Sequence, residues 1–208
     1  MDIWDAVRED RLDLADRLAG LSAEQWDSAS LCSEWRIRDV AGHLTAEAQG
    51  AYTYGALAGG MIRHRFSFNR WIAADGRQRG ERDPMQILEA LRAAADERRP
   101  APGSPPVSAL AAVVIHGQDI CRPLDVQRQV PVSHLRPVAD FLPKTWGFGT
   151  KRRIAGLRLV ADDMDWTHGE GPEVTGPAEA LVMVMAGRHT ALADLSGEGK
   201  AMLALRCT

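Results

Sequence analysis

The sequence predicts an α+β protein, with an antiparallel four-helix bundle over residues 1–128 followed by a small α/β domain over residues 129–208. Three observations predict it. Apolar residues recur at helical spacing throughout the first part. After Gln129 the texture changes to short mixed elements. There Leu157, Leu159 and Ala161 alternate as a half-buried strand does.

The elements follow in order. Residues 2–20 carry Ile3, Trp4, Val7, Leu14 and Leu18 at helical spacing, and Gly20 supplies a stop. Ser22 with Gln25 three residues on is a capping-box pattern for a short helical turn, Ala23–Trp26. One long helix is expected from Trp35 to Gly59, with Val40, His43, Leu44, Glu47, Tyr54 and Leu57 along it. Gly55, Gly59 and Gly60 weaken its far end by about 1 kcal/mol each. The next helix is Phe66–Arg79. Asp83-Pro84 opens another, which runs to about Arg99, because Pro suits the first turn. Pro100–Pro106 is a loop, and Val107–Cys121 is the last bundle helix, ended by Pro123. The second domain is expected to hold a helix at Ser133–Leu142, strands at Ile154–Asp163 and Glu173–Thr175, a helix at Pro177–Ala186, and a final strand at Ala201–Arg206.

Composition narrows the function. The 208 residues carry 25 Lys+Arg against 28 Asp+Glu, a net charge of −3, which argues against a nucleic-acid partner. No apolar run approaches the ~20 residues that span a bilayer, so no membrane role is expected. The three cysteines, Cys32, Cys121 and Cys207, form no CxxC pair and indicate neither a disulfide framework nor a zinc knuckle. The acidic, amphipathic start differs from a secretory signal, and a reducing, cytoplasmic setting is expected. Nucleotide-loop, nucleophile-elbow and HExxH patterns do not occur.

His43 and His116 are the candidates for chemistry. Each falls inside an expected helix, where a polar ring needs a partner. Small residues flank both (Ala41 and Gly42, then Gly117), which suggests close helices with imidazoles converging on one site. Asp119, three residues after His116, lies on the same helical side, and Asp39 and Glu47 flank His43 at i−4 and i+4. Any of these carboxylates could join the imidazoles, with Asp119 also suited to orienting a histidine. A metal site and a pair of buried, hydrogen-bonded histidines are both compatible with these residues alone.

Four strings then resemble one family: WRIRDVAGHL (35–44), VVIHGQDICRPL (113–124), DMDWTHGEGPEVTGPAEAL (163–181) and GRHTALADLSGEGKAMLALR (187–206). Together they are similar to the mycothiol-dependent maleylpyruvate isomerase family, whose first part is a DinB-like bundle and whose second part is sterol-carrier-like. The resemblance implies a divalent metal, typically zinc, held by His43 and His116. It implies a third carboxylate ligand four residues before the second histidine, where this chain has Ala112. The metal set expected here is therefore His43, His116 and Asp119. The resemblance also implies mycothiol as a thiol cosubstrate, a small electrophilic substrate, and an arginine near Arg188 that handles anionic substrate or cofactor. His43, His116 and Arg188 are the catalytic candidates, with Arg188 also the candidate for binding the cosubstrate. As a residue alone, Arg188 suits capping of the helix ended by Gly187 equally well.

The implied activity is thiol-dependent isomerisation or thiol transfer, in a monomer or homodimer. Two alternatives follow from Ala112. One is a metal-free enzyme using His43 and His116 as general acid and base. The other is a non-catalytic protein that keeps the cavity for a ligand. The remaining motifs have structural readings: Trp35 and Trp71 as core, His64 toward solvent, His134 and His189 in solvent or capping roles, Cys121 as a small buried hydrophobe, and the DWTHGEGP turn as a loop joining the domains.

Overall fold

The computed structural model describes residues 2–146 and 148–207. The chain divides into two compact units, Met1–Gln129 and Val130–Thr208.

In the first unit, α1 (Ile3–Ala19) is capped by the Asp2 side chain. The short α2 (Ala23–Asp27) carries the reciprocal Ser22–Gln25 capping box. Helix α3 (Ile37–Ala48) begins where Asp39 bonds back to the Arg36 backbone N–H at 2.9 Å. Then follow α4 (Tyr54–Arg63), α5 (Phe68–Gly80), α6 (Pro84–Ala93, capped by Asp83) and α7 (Val107–Cys121). The bundle proper is α1, α3, α6 and α7, in which α1 and α3 each pack against both α6 and α7. Helix α5 lies against α3, and α4 against α5. The core is built from residues at helical spacing, including Val7, Leu14, Leu18, Val40, Leu44, Leu91, Leu110 and Val114.

Two pairings set the site. Helices α1 and α6 run antiparallel, since Arg98 pairs with Asp2 and Asp5 while Arg92 pairs with Asp16. Helices α3 and α7 also run antiparallel: Leu31 N–H bonds the Asp119 carbonyl, His43 lies beside His116, and Glu47 shares a cavity with Ala112.

The expected Trp35–Gly59 helix is in fact two helices. Gly50 takes φ +66°, its N–H bonds the Glu47 carbonyl, and the Ala51 N–H bonds Ala46. This pair of hydrogen bonds closes a helix with a left-handed glycine. Thr53 then caps α4. Helix α6 stops at Ala93, short of Arg99, and the chain turns at Ala94–Ala95.

The second unit holds α8 (Val132–Phe141), α9 (Thr150–Ile154), β1 (Arg158–Ala161), β2 (Thr167–His168), β3 (Glu173–Gly176), α10 (Ala178–Met185) and α11 (Lys200–Ala204). The sheet order is β2-β1-β3, with Leu159 opposite His168 antiparallel and opposite Val174 parallel. The expected strand at Ala201–Arg206 is the helix α11 and its end. The DWTHGEGP segment does not join the domains. It forms β2 and a turn inside the second unit, where Trp166 is buried and donates to Asp140 at 2.9 Å. His134 is buried rather than solvent-facing. None of the described helices is long and apolar enough to cross a membrane.

Candidate functional site

The structure brings His43 and His116 together in the bundle. Their ring centroids are 5.2 Å apart and the rings are nearly perpendicular, at 87°. Trp35 packs over both, at 5.1 Å from His43 and 6.3 Å from His116. Its indole N–H donates to the Ala73 carbonyl at 3.1 Å.

The small residues beside the histidines serve other contacts than expected. A Cβ on Gly42 would meet Arg79 at 2.9 Å, so Gly42 admits α5. A Cβ on Gly117 would meet the Arg128 guanidinium at 2.7 Å. That buried guanidinium pairs with Asp10 at 2.6 Å and Asp13 at 3.1 Å. The imidazoles meet through the antiparallel register of α3 and α7.

Hydrogen bonds fix the tautomer of each ring. Tyr52 donates its hydroxyl proton to Asp75 Oδ2 at 2.8 Å. The same hydroxyl lies 2.8 Å from His43 Nδ1, so it accepts there and Nδ1 carries the proton. Asp75 also receives Arg79 at 2.7 Å, which keeps it an acceptor. On the other helix, His116 Nδ1 lies 2.9 Å from Asp119 Oδ2, an acceptor, so Nδ1 again carries the proton. A neutral ring bonded in this way keeps its lone pair on Nε2. Burial, with the neighbouring His116 and Arg79, lowers His43 to about 3, so it stays neutral at physiological pH.

Asp119 is fully buried and also receives the Cys32 thiol at 3.0 Å. Cys32 Sγ lies 3.6 Å from His116 Nδ1. Among the described residues, Cys32, His116 and Asp119 are one group whose donor atoms lie within 4.8 Å of one another. This is not a nucleophile–base–orienter chain, because thiol and carboxylate meet the same imidazole nitrogen. Both Asp39 oxygens are engaged by Arg36.

Two cavities adjoin the network. One, of about 270 Å³, is lined by Glu47, Tyr52, Tyr54, Arg99 and Pro100. The other, of about 400 Å³, lies between α4 and α5 and is lined by Arg63, His64, Trp71, Asp75 and Gln78. His64 is therefore a cavity residue, partly buried rather than solvent-facing. The Tyr52–Asp75 hydrogen bond links the two cavities. Glu47 is partly buried, and burial raises its carboxyl to about 7 despite the pull of Arg11.

Arg188 belongs to the second unit. It donates to the Ala186 carbonyl at 2.7 Å, the contact of an arginine capping the end of α10. Arg153 donates to the adjacent Met185 carbonyl at 2.6 Å, and each arginine feels the other's charge.

Sequence reasoning did not single out Cys32, Tyr52 or Asp75. Tyr52 was hidden inside an expected helix, and the readable signal was Gly50 as a helix stop. Cys32 had no spacing signal, because its contact depends on the loop before α3 docking on the end of α7.

A helical bundle carrying two converging imidazoles with fixed tautomers, joined to an α+β unit, defines the class. Residues 7–121 match the family model for the mycothiol maleylpyruvate isomerase N-terminal domain, and the chain belongs to that family. It is similar in fold to two crystal structures of the mycothiol-dependent maleylpyruvate isomerase. One, a histidine-to-alanine mutant, matches with TM-score 0.64 and the other with 0.59. Each is 13% identical, and each match covers 95% of this chain and 92% of the other. No curated protein matches the sequence.

Proposed function

We propose that this protein is a thiol-dependent isomerase or thiol transferase, using mycothiol on a small electrophilic substrate, with a divalent cation such as zinc held in the bundle. Family membership supports the class. The observation that carries the reading is the pair of imidazoles, 5.2 Å apart with both Nδ1 positions committed to other partners.

The donor set fits a metal. His43 and His116 would hold the ion through Nε2, because the Nδ1 of each is committed to another partner. Asp119 and Tyr52 act behind the ligands, holding each ring in the metal-binding tautomer. When bound, such an ion supplies Lewis acidity toward a thiol or a carbonyl oxygen.

The chain's own residues do the rest. The cleft lined by Glu47, Tyr52 and Arg99 admits substrate, with Arg99 suited to an anionic group. Arg188, beside Arg153 in the second unit, is a candidate for binding an anionic group there. Addition of the thiol sulfur to an activated double bond forms a C–S bond and leaves a single bond free to rotate. Elimination then restores the double bond and returns the thiol. Protonation of the adduct instead completes a transfer. The proton for that step is the one the thiol gives up as its sulfur adds, so the step balances without a further donor.

The test is turnover by zinc-loaded protein of a cis-configured, carboxylate-bearing enone with mycothiol, followed by loss of the cis isomer and by adduct formation. Turnover that requires mycothiol and disappears in His43→Ala and His116→Ala supports the reading. Turnover without any thiol contradicts it.

A further inference from the structure

A tetrahedral site needs a third protein donor beside two imidazoles if one position stays open for chemistry. Three side chains on or beside these helices offer a donor: Cys32, Asp119 and Glu47.

Cys32 and Asp119 meet His116 on its Nδ1 edge, at 3.6 and 2.9 Å. An ion on Nε2 would lie about 6–7 Å from an atom hydrogen-bonded to Nδ1, beyond any coordination distance. These two groups therefore cannot share an ion with the Nε2 lone pairs.

Glu47 stands differently. It is one helical turn beyond His43 on α3, and helix side chains lean toward the N-terminus, so its stem leans back toward the His43 layer. Because α3 and α7 are antiparallel, Glu47 is level with Ala112, one turn before His116. Leu44, Glu47, Ala109, Ala112 and Val113 line one small cavity there. The Ala112 methyl leaves that layer open to a side chain from α3. Among the described residues no hydrogen bond or ion pair reaches the Glu47 carboxylate, and burial has raised its pKa. Arg11 lines the same cavity, but its guanidinium donates to the carbonyls of Ala94 and Glu97. The carboxylate does not complete a three-donor group with the two imidazoles in the rotamer seen here.

We propose that Glu47 is the carboxylate ligand of the bundle metal, completing a His43–Glu47–His116 donor set for one divalent cation. This rests on the metal-holding reading above and assigns its third ligand.

The test is optical titration of metal-free protein with cobalt(II), alongside circular dichroism as a folding control. Wild-type protein is expected to take up one equivalent with tetrahedral d–d bands. Glu47→Gln is expected to weaken binding about a hundredfold or more, at the upper end of what removing a supporting group costs. Cys32→Ser is expected to bind as wild type does. The double variant Glu47→Ala/Ala112→Glu, which moves the carboxylate across the same layer, is expected to regain affinity. Wild-type uptake with an unaffected Glu47→Gln overturns the ligand assignment alone. So does a sulfur charge-transfer band lost in Cys32→Ser, which would place the ion on the Nδ1 edge. Absence of uptake by wild type, or uptake that survives His43→Ala, overturns the metal reading and the assignment together.

Discussion

The Tyr52 hydroxyl lies 2.8 Å from His43 Nδ1 and gives its own proton to Asp75. One short contact thereby decides which imidazole nitrogen keeps its lone pair. The contact exists because α3 ends at Ala48 and the chain turns at Gly50, bringing Tyr52 back beside a residue nine positions earlier.

Tyr52→Phe should release that choice. The ring loses its acceptor while the packing of Tyr52 against His43 and Trp71 is kept. Metal affinity is expected to fall about 10–100-fold, as for other groups that orient a ligand. Cobalt titration and thermal melts on the same samples check this. A fall in stability with unchanged affinity would give the Tyr52 hydroxyl a structural role only.

Trp35 is held against both histidines by a glycine on the neighbouring helix. A Cβ on Gly76 would come within 2.6 Å of the indole. Gly76→Ala is expected to cost about 1–3 kcal/mol through overpacking and to displace the indole from the imidazoles. Urea denaturation measures the first effect, and histidine ring chemical shifts the second.

Glu47 and His43 pull stability in opposite directions with pH. Burial raises Glu47 from 4.5 to about 7, so the folded chain holds its proton where the unfolded chain has lost it. Stability from that group is present below pH 4.5 and falls as pH rises toward 7. His43 is lowered from 6.5 to about 3, so its contribution is present above 6.5 and is lost as pH falls toward 3. Metal-free Glu47→Gln should therefore be more stable than wild type at pH 7 by about 1–2 kcal/mol, allowing for partial exposure, and equal to it below pH 4.5. Denaturation curves across pH 4–8 test this, and a variant less stable at pH 7 would contradict it.

The Arg128 guanidinium is fully enclosed between Asp10, Asp13 and the Val114 carbonyl. Asp10→Ala leaves that charge short of its buried partner and is expected to cost about 3–5 kcal/mol. Equilibrium unfolding gives the value, and a loss below 1 kcal/mol would mean that Asp13 alone suffices.

The helical half was legible because its signals are local. Ser22 and Gln25, Asp83 and Pro84, and the apolar spacing of Val7, Leu14 and Leu18 each act within a few residues. The break at Gly50 was also local but was outweighed by the longer periodic run around it. Ala201–Arg206 reads as strand from its apolar spacing. It folds as helix because Gly199 closes on the Glu173 carbonyl and starts a new turn. The nearness of His43 and His116 followed from the expectation of two close helices. The small residues that prompted it proved to admit Arg79 and Arg128 instead. Cys32, Tyr52 and Asp75 were illegible because their contacts cross between elements whose register the sequence does not print.

The account rests on two Nε2 lone pairs serving one ion, and long-range ¹H–¹⁵N NMR of the histidine rings reads that directly. Metal-free protein at neutral pH should show His43 and His116 both protonated at Nδ1. One equivalent of zinc should shift both Nε2 resonances together. A neutral ring with its proton on Nε2 instead of Nδ1, or zinc that moves one ring and not the other, would contradict it.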